Sequence, residues 1–352
     1  MFRLLVVLLC LIVPVRAITL IPLVEGLSHP WGLVLLPGGE FLISERTGRL
    51  LRIDPQGERH TVQGLPPIAS AGQGGLLDLA RDKEGWVYLS YSEPGQGGAG
   101  TAVARARLQD DQLHQWQLLF RQQPKMGGSA HFGSRLLTGD DGYLYITLGD
   151  RYRGRDQAQS LDNHLGKTIR LHLDGRVPQD NPFVQQAGAL PEIWSLGHRN
   201  MQGAALHPVT GQFWAHEHGP QGGDEVNLIQ PGRNYGWPSV SFGEEYGGGK
   251  IGSGTAAPGM VPPKWIWVPS IAPSGMTFYQ GTLFKAWQGD LLVGALRGQA
   301  LLRLKMEGDK IVSQERLLTE LGARIRTVKE GPDGAIYLLT DAPDGRLLKL
   351  MP

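Results

Sequence analysis

Three features of the sequence predict an all-β fold, a six-bladed β-propeller with four-stranded antiparallel blades. Short apolar strands alternate with Gly and Pro turns throughout the 352 residues. A unit of one apolar strand, a glycine turn and a second apolar strand recurs six times, and the spacing of apolar residues is not helical. Repeats of about 40 to 50 residues, each with several short strands, are the sequence signature of a propeller. An irregular sandwich does not repeat a whole sheet in this way.

The first 17 residues predict a secretory signal peptide. Arg3 precedes ten uncharged residues (4–13), and the segment ends with the small residue Ala17. This pattern predicts cleavage after Ala17. The apolar stretch is too short for an anchoring helix, because a bilayer span takes roughly 20 residues. We therefore expect a periplasmic or secreted protein with no membrane span after cleavage.

The composition narrows the chemistry of the mature chain, residues 18–352. Cys10 is the only cysteine and lies in the predicted leader, so we expect no disulfide and no thiolate chemistry. Without Arg3 and Arg16, 32 basic residues face 33 acidic residues. This balance argues against nucleic-acid binding and against a polybasic membrane patch. The 50 glycines and 24 prolines are spread along the chain without a linker, which favours a single domain.

The repeated units follow one another from residue 32 to the end of the chain. Their turn glycines lie 46, 57, 69, 78 and 45 residues apart, at Gly39, Gly85, Gly142, Gly211, Gly289 and Gly334. The predicted strands are 32–36, 40–44 and 50–53 in the first unit, then 75–80, 86–91, 134–137, 143–148, 275–279, 290–294 and 335–340. The longer gaps predict inserted loops. The last strand, 346–350, needs an N-terminal strand such as 18–24 to close the ring.

Polar residues mark the same two places in the repeats. In a propeller the innermost strand of each blade begins on the face where the second strand ends, so residues there converge on one mouth. Before the first strands stand Trp31, Gln73, His131, Arg199, Asn200, Arg324 and Arg326, and after the second strands stand Glu45, Arg46, Asp150, Glu217, His218, Arg297 and Asp341. Each alone is an ordinary loop or surface residue. Together they predict a polar pocket.

These residue types permit only some reactions. The chain has no Gly-x-Ser-x-Gly and no dinucleotide or phosphate-binding glycine motif, which argues against acyl-enzyme and nicotinamide chemistry. His131 can act as a general base with Asp150 orienting it. Arg297, Arg324 and Arg326 can bind a planar polyanion through paired hydrogen bonds.

Residues 217–227 and 234–238 combine carboxylates with Gly and Pro backbone. Such oxygen ligands suit calcium. Acids that cap the amides of their own loop explain the same pattern equally well.

Six segments resemble the signatures of the soluble aldose sugar dehydrogenases and glucose dehydrogenases that use pyrroloquinoline quinone (PQQ). The segments are 72–77, 131–136, 165–170, 197–203, 217–229 and 234–238. They occur in order and span essentially the whole mature chain. The resemblance implies a PQQ-dependent, calcium-dependent enzyme that oxidises aldoses to lactones and passes electrons to an external quinone, dye or cytochrome.

The resemblance also implies a role for individual residues. His131 would take the proton of the anomeric hydroxyl while hydride passes to the C5 carbonyl of the quinone, with Asp150 supporting the base and Gln73 contacting the sugar. Arg199 and Asn200 would bind the reacting quinone oxygens. Three arginines would hold the cofactor carboxylates: Arg297, Arg324 and Arg326. Calcium would lie on the carbonyls of Gly219 and Pro220, and a second calcium would use Glu225 and Tyr235.

One departure from the resemblance concerns the sugar. Glucose-specific members place an aromatic in a loop that covers the sugar, where this chain has Val268 beside Trp267. A shorter loop here predicts broad aldose specificity.

Two other functions fit a propeller of this kind. A non-catalytic extracellular binding protein has no need for His131, Arg199, Arg324 and Arg326 together. A metal-dependent sugar lactonase would hold a central calcium with acidic and amide ligands, whereas the central groups here are largely cationic.

Overall fold

The computed structural model describes residues 18–352 and confirms the predicted six-bladed β-propeller. The predicted signal peptide lies outside the described residues. Six four-stranded antiparallel sheets follow one another along the chain. The only helices in the described part are four short 3-10 helices, at Pro37–Gly39, Arg155–Gln159, Lys285–Trp287 and Thr319–Leu321. None of its helices is long and apolar enough to cross a membrane.

The first strand, β1 (Thr19–Leu27), belongs to the last blade, and the other strands fill the blades in chain order. Blade 1 contains β2 (Pro30–Leu35), β3 (Phe41–Glu45), β4 (Arg49–Ile53) and β5 (Arg59–Thr61). Blade 2 contains β6 (Leu76–Arg81), β7 (Trp86–Gly95), β8 (Gly98–Gln109) and β9 (Gln112–Arg121). Blade 3 contains β10 (Gly133–Thr138), β11 (Tyr143–Leu148), β12 (Lys167–His172) and β13 (Ile193–Leu196).

The second half of the ring repeats this arrangement. Blade 4 contains β14 (Met201–Leu206), β15 (Phe213–Glu217), β16 (Asp224–Ile229) and β17 (Trp265–Trp267). Blade 5 contains β18 (Pro273–Phe278), β19 (Leu291–Ala295), β20 (Ala300–Glu307) and β21 (Lys310–Leu317). Blade 6 contains β22 (Ile325–Glu330), β23 (Ile336–Thr340), β24 (Gly345–Met351) and, at its outer edge, β1.

The N-terminal strand closes the ring, as predicted. β1 pairs antiparallel with β24 from Thr19 opposite Met351 to Leu27 opposite Gly345. Leu27 is fully buried in the cluster that joins blades 6 and 1. The last blade is therefore completed by the first strand of the chain.

The hydrophobic core is divided among the joints between neighbouring blades. Six apolar clusters each join side chains of two adjacent blades; one of them packs Leu42 and Leu50 of blade 1 against Leu79 and Leu89 of blade 2. Each blade presents apolar side chains on both faces and buries them against both neighbours. The centre of the propeller is therefore lined by the innermost strands and their polar residues.

A single arginine lies at the centre of the ring. The buried Arg135 of β10 donates to Asp78 in blade 2 (3.2 Å), to the Gln202 carbonyl in blade 4 (2.7 Å) and to the Arg326 carbonyl in blade 6 (2.9 Å). Its guanidinium carbon lies 4.0 Å from the ring centroid of Trp31 in blade 1. One side chain thus connects five of the six innermost strands.

Candidate functional site

The strand register brings the predicted polar residues together in pairs at one face. In blade 3, Gly133 pairs with Leu148, so His131 and Asp150 extend two residues beyond the same end of the hairpin. In blade 4, Met201 lies opposite Glu217, and in blade 6, Ile325 lies opposite Thr340. The pairs Arg199 with His218 and Arg324 with Asp341 therefore reach the same face, in agreement with the predicted convergence.

His131 and Asp150 form a buried hydrogen-bonded pair. Nδ1 of His131 lies 2.7 Å from Oδ1 of Asp150, and Oδ2 of Asp150 accepts a hydrogen bond of 2.8 Å from Trp237 Nε1. The Asp150 carboxylate holds the proton on Nδ1 and leaves the Nε2 lone pair free. Burial lowers the pKa of His131, and Arg199 and Arg151 act in the same direction, whereas Asp150 raises it.

Two cavities flank this pair. The base cavity, about 310 Å³, is lined by residues that include His131, Asp150, Tyr152, Arg199, Trp237 and Tyr246. The clamp cavity, about 290 Å³, is lined by residues that include Trp31, Gln73, Gln202, Arg324, Arg326 and Asp341. Gln73 connects them, because its Oε1 accepts the backbone N–H of His131 at 2.8 Å.

The clamp cavity carries two arginines on one carboxylate. Arg326 donates to Asp341 (2.9 Å) and to Gln202 Oε1 (2.9 Å), and Arg324 approaches the same Asp341 oxygen at 3.4 Å. Burial lowers the pKa of Arg326 to about 10 against the attraction of Asp341, and neighbouring Arg135 and Arg324 lower it further. Burial acts to raise the pKa of Asp341, yet Arg326 and His29 hold it well below its usual range. Two guanidiniums therefore share one counter-ion.

Arg297 differs from the other two predicted clamp residues. Its side chain is exposed and has no hydrogen bond within the described part of the chain, and its neighbour Leu296 lines the clamp cavity. Arg326 is buried and Arg324 is about half exposed.

Arg199 lines the base cavity, and Asn200 contacts two residues that line the clamp cavity. Arg199 is buried and donates to the Gly219 carbonyl (2.7 Å) and the His218 carbonyl (3.1 Å), while its Nε has no partner among residues 18–352. Asn200 Oδ1 accepts hydrogen bonds from Gly133 N (3.3 Å) and Gln202 Nε2 (3.2 Å). Arg199 is thus held by the loop after β15, and Asn200 is held by β10 and β14.

The predicted calcium residues line a third cavity, the carbonyl cavity, of about 110 Å³. Its lining includes Arg199, Glu217, Gly219, Pro220, Glu225 and Tyr235. Burial raises the pKa of Glu225 to about 8, and the charge of Glu217 acts in the same direction. The amide nitrogen of Asn227 lies within 3.3 Å of both carboxylates, and its buried Oδ1 has no partner in the described part of the chain. The hydroxyl of Tyr235 donates a hydrogen bond to the Leu228 carbonyl.

Sequence reasoning missed three residues that organise these cavities. Trp237 fixes Asp150, Gln202 fixes Arg326, and Tyr152 packs against His131. Trp237 lies in segment 234–238 and Gln202 in segment 197–203, so the signal for both was present in segments already singled out. Tyr152 lies in a loop without a recognisable motif.

Comparison with known proteins extends over nearly the whole chain. The model of the Glucose / Sorbosone dehydrogenase family matches residues 27–349. Aldose sugar dehydrogenase YliI of Escherichia coli (strain K12) is 44% identical over 339 residues, which cover 93% of this chain and 91% of that protein.

Solved structures give the same result. A crystal structure of a glucose dehydrogenase is 48% identical with a TM-score of 0.92 and covers 94% of this chain and 99% of that one. The PQQ-bound form of an aldose sugar dehydrogenase from Streptomyces coelicolor is 28% identical with a TM-score of 0.77. The match covers 96% of this chain and 99% of that one.

Proposed function

The chain belongs to the glucose/sorbosone dehydrogenase family of oxidoreductases, and from that premise we propose that it oxidises aldose sugars at the anomeric carbon to lactones with PQQ and calcium. The observation that carries the proposal is the buried His131–Asp150 pair beside a cavity lined by Arg324 and Arg326, with Gln73 between them. A proton acceptor next to an anion-binding cavity is the combination that oxidation with a polyanionic quinone requires.

His131 acts as the general base in this proposal. Its Nε2 takes the proton of the anomeric hydroxyl, because Asp150 holds the other ring proton on Nδ1. Loss of the hydroxyl proton makes the C1–H bond a hydride donor, and the sugar, having lost one proton and one hydride, leaves as the lactone. Gln73 holds the backbone of His131 and contacts the sugar. When bound, PQQ would supply the acceptor of the hydride, and an external quinone, dye or cytochrome would reoxidise it.

The clamp residues fit a polyanionic cofactor. Arg324 and Arg326 together exceed the charge of Asp341, and the Nε atoms of Arg326 and Arg199 are buried and have no partner in the range that the structure describes. Cofactor carboxylates would neutralise Arg324 and Arg326, with Arg297 contributing from the rim. Arg199 and Asn200 would donate to the quinone oxygens, where negative charge develops.

The carbonyl cavity fits calcium. The carbonyl oxygens of Gly219 and Pro220 are hard ligands, and the Gly219 oxygen has a second lone pair beyond the one that Arg199 uses. A second ion would be held by Glu225 and the Tyr235 backbone, since Glu225 lies beside Glu217 and the unpartnered Asn227 oxygen. Calcium near the quinone would supply a Lewis acid.

Reconstitution tests the proposal. Purified apoprotein receives PQQ, calcium, D-glucose and a dye acceptor, and we expect dye reduction that needs both additions. His131→Ala should retain PQQ binding by absorbance titration and lose roughly 10²- to 10⁴-fold in kcat. The exposed His114→Ala is the matched control and should retain full activity.

Three other outcomes would contradict the proposal, and two of them would identify another function. Equal rates in His131→Ala and the native protein would refute the role of the base. Lactone hydrolysis without PQQ would identify a lactonase, and PQQ binding without turnover would identify a binding protein.

We also propose that the enzyme is exported and acts as one domain spanning residues 18–352. The leader pattern of residues 1–17 supports cleavage after Ala17. N-terminal sequencing of protein from the periplasm or medium should begin at Ile18, and a mature protein that retains residues 1–17 would contradict the proposal.

A further inference from the structure

Two exposed tyrosines line the base cavity. Tyr152 follows the end of β11 in blade 3 and is 54% exposed, and Tyr246 lies in the loop between β16 and β17 of blade 4 and is 63% exposed. They are the only aromatic side chains among the strongly exposed large hydrophobic residues of the described range 18–352. Two such rings at one cavity indicate a surface that binds an apolar face.

The backbone at Tyr152 adopts a costly conformation. Arg151 and Tyr152 have φ angles of 54° and 61°, in the left-handed region that is unfavourable for residues with a Cβ atom. Tyr152 N donates to Asp150 Oδ1 at 2.7 Å, and the buried Arg151 packs its guanidinium carbon 3.6 Å from the Phe132 ring centroid. Strained residues held in this way cluster at functional sites.

The strained loop sets the Tyr152 ring beside the proposed base. The rings of Tyr152 and His131 meet edge to face, with centroids 5.4 Å apart and an interplanar angle of 79°. An ion pair of 2.6 Å between Arg155 and Glu245 ties this loop to the loop that carries Tyr246. The Tyr152 ring therefore holds a defined position beside His131, and the loop that carries Tyr246 is joined to the same edge of the cavity.

We propose that Tyr152 and Tyr246 bind the reacting sugar, with the Tyr152 ring packed against the apolar C–H face of the aldose whose anomeric hydroxyl meets His131. An aldopyranose has an apolar face and a rim of hydroxyls, and the same cavity offers Arg153 and Asp156 as polar partners. This assignment rests on the proposed function and adds the residues that recognise its substrate.

The loop beside Val268 does not supply such a ring. Val268 is 69% exposed and does not line the base cavity, and the side chain of Trp267 is buried with its Nε1 bonded to Gln314. The aromatic contact with the sugar therefore comes from blades 3 and 4.

Steady-state kinetics with D-glucose and saturating PQQ test the assignment. Tyr152→Ala should raise KM about tenfold with kcat within about threefold, and Tyr152→Phe should restore the native KM because it retains the ring. Tyr246→Ala should raise KM by a smaller factor. The exposed Val209→Ala is the matched control, and all variants should titrate PQQ as the native protein does.

Saturation-transfer NMR of D-glucose separates this assignment from the proposed activity, because it needs no turnover. If the native protein reduces no dye, the proposed activity fails; a glucose signal that Tyr152→Ala abolishes and Tyr152→Phe retains would still support the site. An unchanged KM and an unchanged glucose signal in Tyr152→Ala would overturn it, as would an equal loss in Tyr152→Phe or no glucose signal in the native apo and PQQ-loaded forms.

Discussion

His131 is the residue whose surroundings most directly determine the proposed chemistry. Burial and the charges of Arg199 and Arg151 disfavour the imidazolium, and Asp150 favours it. Burial and the two arginines outweigh Asp150, so the pKa of His131 falls below its ordinary value of 6.5. A lowered pKa widens the pH range over which the imidazole is neutral and able to accept a proton.

The pKa of His131 can be measured in the apoprotein. NMR titration of the His131 ring should give a midpoint below 6.5, and Asp150→Asn should lower it further, because the variant removes the group that stabilises the imidazolium. The neutral form is present above the midpoint, so kcat/KM should fall as the pH drops through it. A midpoint above 6.5 would contradict this reading.

Arg326 and Arg297 should differ in their effect on cofactor binding. Arg326→Gln removes a buried charged donor, worth about 1.5–3 kcal/mol, and should raise the Kd for PQQ by roughly 10- to 100-fold. Arg297→Gln removes an exposed charge and should raise it less than about threefold. Absorbance titrations measure both Kd values, and an equal increase in the two variants would show that both arginines contribute equally to PQQ binding.

The inner hairpins share a feature that sequence reasoning did not reach. In every blade the register between the first and second strands shifts near the start of the first strand, for example between Gly133 and Leu136. Such bulges redirect side chains and are common beside active sites. Six bulges at one face position the residues that line the cavities.

The turns of these hairpins were predictable and the bulges were not, for a physical reason. Turns need positive φ and therefore Gly, as at Gly85 and Gly142, which the sequence displays. No single residue type begins all six bulges, which start at Pro30, Leu76, Gly133, Met201, Pro273 and Ile325. The positions of His131 and Asp150 were predictable because both residues flank strands. The hydrogen bond from Trp237 to Asp150 was not predictable, because the two residues lie 87 positions apart in the sequence.

The closing strand β1 offers a matched pair of substitutions. Leu27→Ala should destabilise the protein by about 2–5 kcal/mol, because Leu27 is fully buried between blades 6 and 1. Leu23→Ala, in the same strand and 37% exposed, should change the free energy of unfolding by less than about 0.5 kcal/mol. Denaturant unfolding measures both, and similar values would show that the strand contributes little to closure.

Over the whole molecule, adjacent blades are joined by hydroxyl bridges as well as apolar clusters. A serine or threonine of one blade donates to a carbonyl of the next at five joints: Ser44 to Leu77, Ser90 to Ser134, Thr147 to Met201, Ser274 to Ile325 and Thr327 to Trp31. Arg135 adds contacts across the centre. The ring therefore resists local opening at its axis, where the cavities lie.

Removing Arg135 tests this central connection. Arg135→Met leaves Asp78 buried without its cation and should cost about 3–5 kcal/mol of unfolding free energy. Arg135→Met combined with Asp78→Asn should lose less than Arg135→Met alone, because no buried charge is left uncompensated. Denaturant unfolding gives both values, and a double variant as unstable as the sum of the single variants would refute the pairing.

The pairing of β1 with β24 has a consequence for how the chain is made. Within residues 18–352, the first strand, β1, pairs only with the last strand, β24, and the start of β24 lies 318 residues after the end of β1. Until β24 has been synthesised, the growing polypeptide can form five complete blades but cannot close them into a ring. Ring closure, and with it the shape of every cavity on the axis, therefore requires β24, so a product that terminates before β24 would expose an unpaired edge to proteases.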